Sequence, residues 1–369
     1  MRVQVVDPPA YTPPYDRSLC AALARAGADV ELVTSRFVHG PVPAPLGYEV
    51  RESFYRLSGR REANAPARRA LKLAEHVTDM LRYRRNSSAV DVRHFQWLPV
   101  PALDSRLLPA GCPRVLTAHG VLRREGWNRR LRTLRRVLDR MDAVVALSEF
   151  GRERLAEAGV DPARVRVIPH GAFDYLTRQP DETPLPPELA AVTGPVILFV
   201  GLIRPYKGVD VLLDAFRSVT DAELWIVGRP LGVSLDALRE AAARTPGRVR
   251  FIPRFVSDRE LPAYFRRADV VALPHRDAEQ SGVLFAALAF GKPIVMSDVG
   301  GFAEVAATGA GTLVPPGDSD ALGARLQELI ASPAERDGLA QAARTAASGP
   351  YSWEVVARQT MELYSELTA

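Results

Sequence analysis

Short runs of aliphatic and β-branched residues alternate with helix-length stretches along this chain, in two series separated by a proline-rich break. In the first series strands are expected at 3–7, 30–34, 90–95, 114–118, 143–147 and 165–168. Helices are expected at 17–25, 67–85 and 129–140, and Ser148 stands where a further helix would be capped. The second series has strands at 196–200, 222–227, 249–252, 270–273, 293–296 and 311–314. Its helices fall at 209–219, 235–243, 283–290 and 321–330, with a capping-box pattern from Ser257 to Glu260. Continuous apolar strands alternating with helices mean parallel sheets covered on both faces. A length of 369 residues exceeds what one core usually fills, so two domains are expected. The break, Gln179-Pro180-Asp181-Glu182-Thr183-Pro184-Leu185-Pro186-Pro187, lies between them. The expected organisation is a first domain over 1–178, a linker over 179–194, a second domain over 195–350 and a last amphipathic helix within 351–369.

Composition narrows the function classes. No run of apolar residues is long enough for a membrane-spanning helix, and Arg2-Val3-Gln4-Val5-Val6 reads as a strand rather than a signal peptide. Cys20 and Cys112 are too few for a disulfide framework, so a cytoplasmic protein is expected. The formal charge is +5, and lysine occurs only at Lys72, Lys207 and Lys292. Arginine clusters between Arg51 and Arg140, notably Arg60, Arg61, Arg68, Arg69, Arg82, Arg84, Arg85, Arg123, Arg124, Arg129, Arg130, Arg135 and Arg136. A solvated helix face accounts for this, and a peripheral contact with anionic lipid on the inner membrane face stays open. Nucleic acid is disfavoured, because no aromatic-interleaved or helix-turn-helix pattern accompanies the charge.

Two stretches carry the strongest chemical signal. Gly201-Leu202-Ile203-Arg204-Pro205-Tyr206-Lys207-Gly208 leaves the carboxyl end of a buried strand, where ligands sit in such sheets. Gly201 admits close backbone approach, and Arg204 and Lys207 supply two cations suited to a diphosphate. The second stretch, Glu279-Gln280-Ser281-Gly282-Val283, opens a helix whose free amides and dipole favour an anion. A Walker P-loop is absent, since Gly291-Lys292 is followed by Pro293.

Taken together these patterns resemble family 4 of the glycosyltransferases, retaining enzymes with the two-domain GT-B fold. The resemblance runs in order through Thr117-Ala118-His119-Gly120, Ser148-Glu149-Phe150-Gly151-Arg152, Ile168-Pro169-His170-Gly171, the 201–208 loop, Gly291-Lys292-Pro293 and Asp298-Val299-Gly300-Gly301. It implies two Rossmann-like domains facing across a cleft, with the last helix crossing back to the first domain. It also implies retaining transfer of a sugar from a nucleotide-diphosphate sugar, a co-substrate, to an acceptor. Carried over by position, His119 matches a first-domain histidine beside the donor sugar, and with Arg204 and Lys207 it makes up the candidate catalytic group. Gly201, Phe255, Glu279, Ser281, Gly282 and Val283 are the candidate donor contacts, Phe255 near the nucleobase pocket. The family's arginine more often follows the glycine directly, where this chain has Leu202. Its two glutamates eight positions apart, the second on the donor ribose, are here Ala278 and Ala286. That departure leaves room for a non-catalytic nucleotide-sugar binder. A sugar-nucleotide epimerase is a further alternative.

The histidines His39, His76, His94, His119, His170 and His275 show no metal-ligand spacing, and His170 reads as a turn or packing residue. Asp318-Ser319-Asp320 is better explained as a helix cap than as a metal–diphosphate ligand. Neither a metal nor a cofactor is expected. The loop from Pro8 to Asp16, with Tyr15, and the stretch around Trp97 are candidate acceptor contacts. The acceptor itself, whether glycan, lipid-linked glycan or small metabolite, is not legible.

Overall fold

The computed structural model describes residues 1–38, 40, 42, 44–58, 66–86, 89–120 and 127–369, with backbone alone at 66–70 and 127–132. The chain divides into two compact units, Met1–Gly171 together with Trp353–Ala369, and Ala172–Ser352.

The first unit runs β1 (Arg2–Asp7), α1 (Pro13–Arg25), β2 (Asp29–Ser35), β3 (Glu49–Phe54), α2 (Pro66–Arg85), β4 (Val92–Phe95), α3 (Pro101–Leu107), β5 (Arg114–Ala118), α4 (Trp127–Leu138), β6 (Ala143–Ala146), α5 (Glu149–Glu157) and β7 (Val165–Val167). Among the described residues its seven strands lie in the order β3-β2-β1-β4-β5-β6-β7, all parallel. Central strands β4 and β6 are buried on both faces, β6 as an unbroken apolar run and β4 with Arg93 and His94 buried in it. Ser148 caps α5, its hydroxyl accepting the Gly151 N–H at 3.0 Å. The edge strand β3 was not evident in the sequence, because Glu49, Arg51 and Glu52 break any apolar alternation. It is held by Arg51, which pairs with Glu31 of β2 at 2.6 Å.

The second unit contains α6 (Pro187–Ala190), β8 (Val196–Val200), α7 (Val209–Ala215), β9 (Glu223–Val227), α8 (Leu235–Ala242), β10 (Arg248–Ile252), α9 (Leu261–Arg267), β11 (Val270–Leu273), α10 (Gly282–Ala289), β12 (Ile294–Ser297), α11 (Phe302–Ala306), β13 (Thr312–Val314), α12 (Ser319–Ala331) and α13 (Pro333–Ser348). The sheet is again parallel, in the order β10-β9-β8-β11-β12-β13. Its core gathers Phe199, Phe216, Ile226, Leu326 and their neighbours. Asp318 caps α12 by accepting the Ala321 N–H at 2.9 Å. The Ser257 capping box forms in part: the Ser257 N–H donates to the Glu260 carboxylate at 3.0 Å as expected, but the hydroxyl does not accept a backbone N–H among the described residues. Ser257 donates its hydroxyl to the Glu260 carboxylate at 2.8 Å, and the helix begins only at Leu261.

One further correction concerns the segment before the second sheet, whereas the last helix joins the first unit as expected. The stretch 179–194, expected as a linker, is packed onto this unit. Leu189 is buried, Thr183 N–H donates to the Arg259 carbonyl at 2.8 Å, and Glu182 pairs with Arg266. Its prolines fix an extended path but do not keep it off the surface. After α13 the chain leaves the second unit, and α14 (Trp353–Thr368) belongs to the first. Trp353, Val356, Ala357, Thr360, Leu363 and Tyr364 form its buried stripe, which packs on α1. The Tyr364 hydroxyl lies 2.6 Å from His94 Nδ1, and the Trp353 indole fills the space above Gly171, where a Cβ would come within 2.4 Å.

Among the described residues no helix is long and apolar enough to cross a membrane. Of the clustered arginines, Arg82, Arg84, Arg85, Arg135 and Arg136 are exposed. Arg60, Arg61, Arg123 and Arg124, and the side chains of Arg68, Arg69, Arg129 and Arg130, lie outside the described residues, as does His39.

Candidate active site

Each sheet reverses its strand order once, between β1 and β4 in the first unit and between β8 and β11 in the second. Loops leaving the carboxyl ends at such a point diverge and leave a crevice, the usual ligand position in open α/β sheets.

In the second unit the two loops are 201–208, after β8, and 274–281, after β11. Gly201, at φ +124°, sits against the first turn of α10, and a Cβ there would lie 3.4 Å from Val283 Cγ2. Gly208 closes the first loop at φ +66°, and its Cβ would fall 1.8 Å from the Pro274 carbonyl oxygen. Only glycine allows the two loops to meet so closely. Arg204 precedes a single 3-10 turn, Pro205–Lys207, and its Nε is buried without a hydrogen-bond partner among the described residues. Lys207 Nζ lies 2.8 Å from His275 Nε2. Burial, reinforced by the charge of Arg204, pulls Lys207 down to about 8. Arg276 ties the loops together: it donates to both carboxylate oxygens of Asp210, at 2.7 and 2.6 Å, and to the Pro205 carbonyl at 3.2 Å. Its backbone N–H donates to the Tyr206 carbonyl at 2.8 Å.

At the start of α10, Ser281 is 4% exposed and its hydroxyl is buried with neither a cap bond nor another partner among the described residues. The first amides of a helix have no intrahelical acceptor, so this end presents unsatisfied donors at Ser281, Gly282 and Val283. Glu279 lies just before it, its carbonyl accepting the Gly301 N–H at 3.1 Å. Ala286 is buried in α10, so neither that position nor Ala278 offers a carboxylate. Phe255 stands apart. It is 43% exposed on the loop after β10, an edge strand two places from β8.

In the first unit the corresponding loops follow β1 and β4. Trp97 Nε1 donates to Thr12 Oγ at 2.9 Å, which joins them. His119, after β5, stacks on Trp97 with ring centroids 5.4 Å apart and lies edge-on to Tyr15 at 4.6 Å. Its Nε2 is 2.8 Å from Gln96 Oε1, so Nε2 carries the proton and Nδ1 the lone pair. Burial, with the charges of His170 and His94 adding to it, holds His119 well below the ordinary histidine range. A neutral imidazole of fixed tautomer hydrogen-bonds rather than acting as a cation. Tyr15, the other candidate acceptor contact, is 2% exposed and packs against His119, His170 and Trp353. Trp97 remains half-buried beside His119.

Several residues escaped the sequence reading. His275 and Arg276 follow β11 directly, so their position at a strand's carboxyl end was the available signal. Thr12, Asp16 and Gln96 lie in stretches the sequence did single out, but no spacing rule announces their polar contacts.

The two parallel sheets, with cations and a helix start gathered at the second one's switch point, define the GT-B class of two-domain proteins. Solved structures agree on the fold. Sucrose-phosphate synthase from Thermosynechococcus elongatus covers 100% of this chain and 99% of its own, at TM-score 0.77 and 22% identity. Anabaena HepE, solved in complex with UDP, covers 100% of both at TM-score 0.74 and 20% identity. The family model described as Glycosyltransferase Family 4 matches residues 17–172, and that described as Glycosyl transferases group 1 matches 194–332. The chain belongs to the family 4 glycosyltransferases. Among curated relatives, a phosphatidyl-myo-inositol mannosyltransferase of Mycobacterium leprae is 36% identical over 229 residues, 60% of this chain and 58% of that protein. A D-inositol 3-phosphate glycosyltransferase of Nocardia farcinica is 34% identical over 244 residues, 62% of this chain and 52% of that protein. The chain thus spans just over half the length of these relatives.

Proposed function

We propose that the protein transfers a glycosyl group from a nucleoside-diphosphate sugar to a hydroxyl of an acceptor, with retention at the anomeric carbon and without a metal. The observation that carries this reading is the convergence of Arg204, Lys207 and the first turn of α10, with the buried Ser281 hydroxyl, at the β8/β11 switch point. Cleavage of the sugar–phosphate bond leaves negative charge on the departing diphosphate. Fixed cations and amides stabilise that charge more in the transition state than in the ground state. His119, neutral and held by Gln96 and Trp97, would hydrogen-bond the sugar. The relatives named for phosphatidylinositol and inositol phosphate support a polyol or glycolipid acceptor, and the basic first-unit helices would suit an anionic lipid surface. Thermal-shift measurement against UDP, GDP, ADP and their sugar conjugates tests the donor class, since binding to the folded state raises the melting temperature. With the active donor, Lys207→Ala should lower turnover about 10²-fold or more. Unchanged turnover removes Lys207 from the mechanism.

A second reading is favoured by Ala278 and Ala286: a protein that binds the donor without turning it over. It predicts a clear thermal shift with neither transfer nor hydrolysis.

A further inference from the structure

We propose that His275 is the positioning residue for Lys207, a neutral hydrogen-bond acceptor that fixes the ammonium in the 201–208 loop without cancelling its charge. The proposal rests on the reading of that loop as a diphosphate site.

The geometry is specific. His275 is 1% exposed, two residues beyond β11, with its backbone N–H donating to the Leu273 carbonyl at 2.9 Å. Its ring is wedged edge-on against Phe302 at 5.3 Å and Tyr206 at 6.2 Å. Held this way, Nε2 meets Lys207 Nζ at 2.8 Å, while Nδ1 is buried with no hydrogen-bond partner among the described residues. Two nitrogens at that separation accommodate one proton between them, so the pair carries a single positive charge.

The groups facing Lys207 explain why an imidazole stands there. Arg204, on the same loop, adds like charge, and the Tyr206 ring lies 5.6 Å from Nζ. Among the described residues no carboxylate pairs with Lys207. Asp210, in the first turn of the adjoining helix, is gripped by two guanidinium nitrogens of Arg276, and Asp214, further along it, faces Arg217. An aspartate or glutamate at position 275 would orient the ammonium equally well but would neutralise it. A histidine kept neutral by burial and by the charge of Lys207 supplies the lone pair and leaves the charge for an anion. The lowered proton affinity of Lys207 makes the arrangement visible in solution, because the ligand-free site loses its charge as pH rises through about 8.

The test measures binding of inorganic pyrophosphate and of UDP to the full chain by calorimetry, from about pH 6 to about pH 9.5. Melting temperatures accompany each variant. The unaltered protein should bind more weakly as pH passes about 8. His275→Gln, which keeps a neutral acceptor, should stay within about threefold of it. His275→Glu, which keeps an acceptor but adds an opposing charge, should bind about 100-fold more weakly. His275→Phe keeps the ring packing and frees the ammonium. Its affinity should fall about tenfold, and its pH break should move downward, because burial and Arg204 still act on Lys207 while the hydrogen bond that favours its charged form is gone. Should the Phe variant fail to fold, the Gln and Glu variants still decide the matter. Equal affinities for Gln and Glu would overturn the proposal. So would variants that all match the unaltered protein while Lys207→Ala loses binding, a result that leaves the diphosphate reading intact. No binding of either probe by the unaltered protein would remove that reading and this inference together.

Discussion

Arg276 grips Asp210 through both carboxylate oxygens, at 2.7 and 2.6 Å, and so pins the loop after β11 to the start of the helix that follows the cation-bearing loop. Both side chains are more than a third exposed, so solvent screens the pair and its worth to global stability is about 0–1 kcal/mol. Its effect belongs in the site instead. Arg276 also holds the Pro205 and Tyr206 carbonyls, the two residues directly before Lys207. Arg276→Ala should therefore move the melting temperature little while weakening UDP or pyrophosphate binding about tenfold, because an ordered cation becomes a mobile one. A variant that melts much earlier yet binds normally would show the clamp to be a stability element.

Much of this layout was legible from residue patterns, and what was not has identifiable physical causes. Strands buried on both faces, such as β8 and β11, announce themselves through unbroken aliphatic runs, and the sequence limits of both match the structure. Helix α13, 16 residues long, went unread because only Ala343 and Ala346 are buried in it, leaving no apolar stripe to detect. The short α3 was hidden in the same way, its buried positions being Asp104 and Ser105. At the site, Arg204, Lys207 and Ser281 could be picked out because glycines and a helix start flank them. His275 looked like any isolated histidine, since its significance lies in a contact 68 positions away in the chain. The burial of Tyr15 was not legible locally either, because it depends on α14 returning to bring Trp353 against it.

The first unit buries two carboxylates side by side, Asp7 at the end of β1 and Asp16 in α1. Asp7 accepts the Tyr11 N–H at 2.7 Å and the Thr12 N–H at 3.3 Å, while Thr12 Oγ donates to Asp16 at 3.3 Å. Burial raises Asp7 to about 6, and burial followed by the charge of Asp7 drives Asp16 well above the ordinary aspartate range, so the pair shares a proton at mildly acid pH. An acid whose folded pKa exceeds its unfolded value binds protons more tightly when folded. Its contribution to stability is complete below the unfolded value and is lost as pH rises through the folded one. Asp16→Asn removes one carboxylate and keeps the shape. It should flatten the fall in melting temperature between about pH 5 and 8 and gain on the order of 2 kcal/mol at the upper end. Parallel melting curves for the two proteins across that range would mean that the carboxylates do not share a proton.

The last expectation separates backbone from side chain at the cation-bearing loop. Gly208 adopts φ +66°, and any Cβ there would press on the Pro274 carbonyl oxygen at 1.8 Å, a backbone atom that cannot swing aside. Gly208→Ala should therefore cost about 1–3 kcal/mol for the left-handed conformation and more for the collision, which must part the 201–208 and 274–281 loops. Lys207→Ala removes the cation but leaves the loop path free, so its melting temperature should stay near that of the unaltered protein. Both substitutions should abolish diphosphate binding, one by displacing the site and one by discharging it. The discriminating measurement is denaturant unfolding of the two variants side by side. Equal stability for Gly208→Ala and the unaltered protein would mean that the loops can part without cost, and that their close approach does not fix where Lys207 stands.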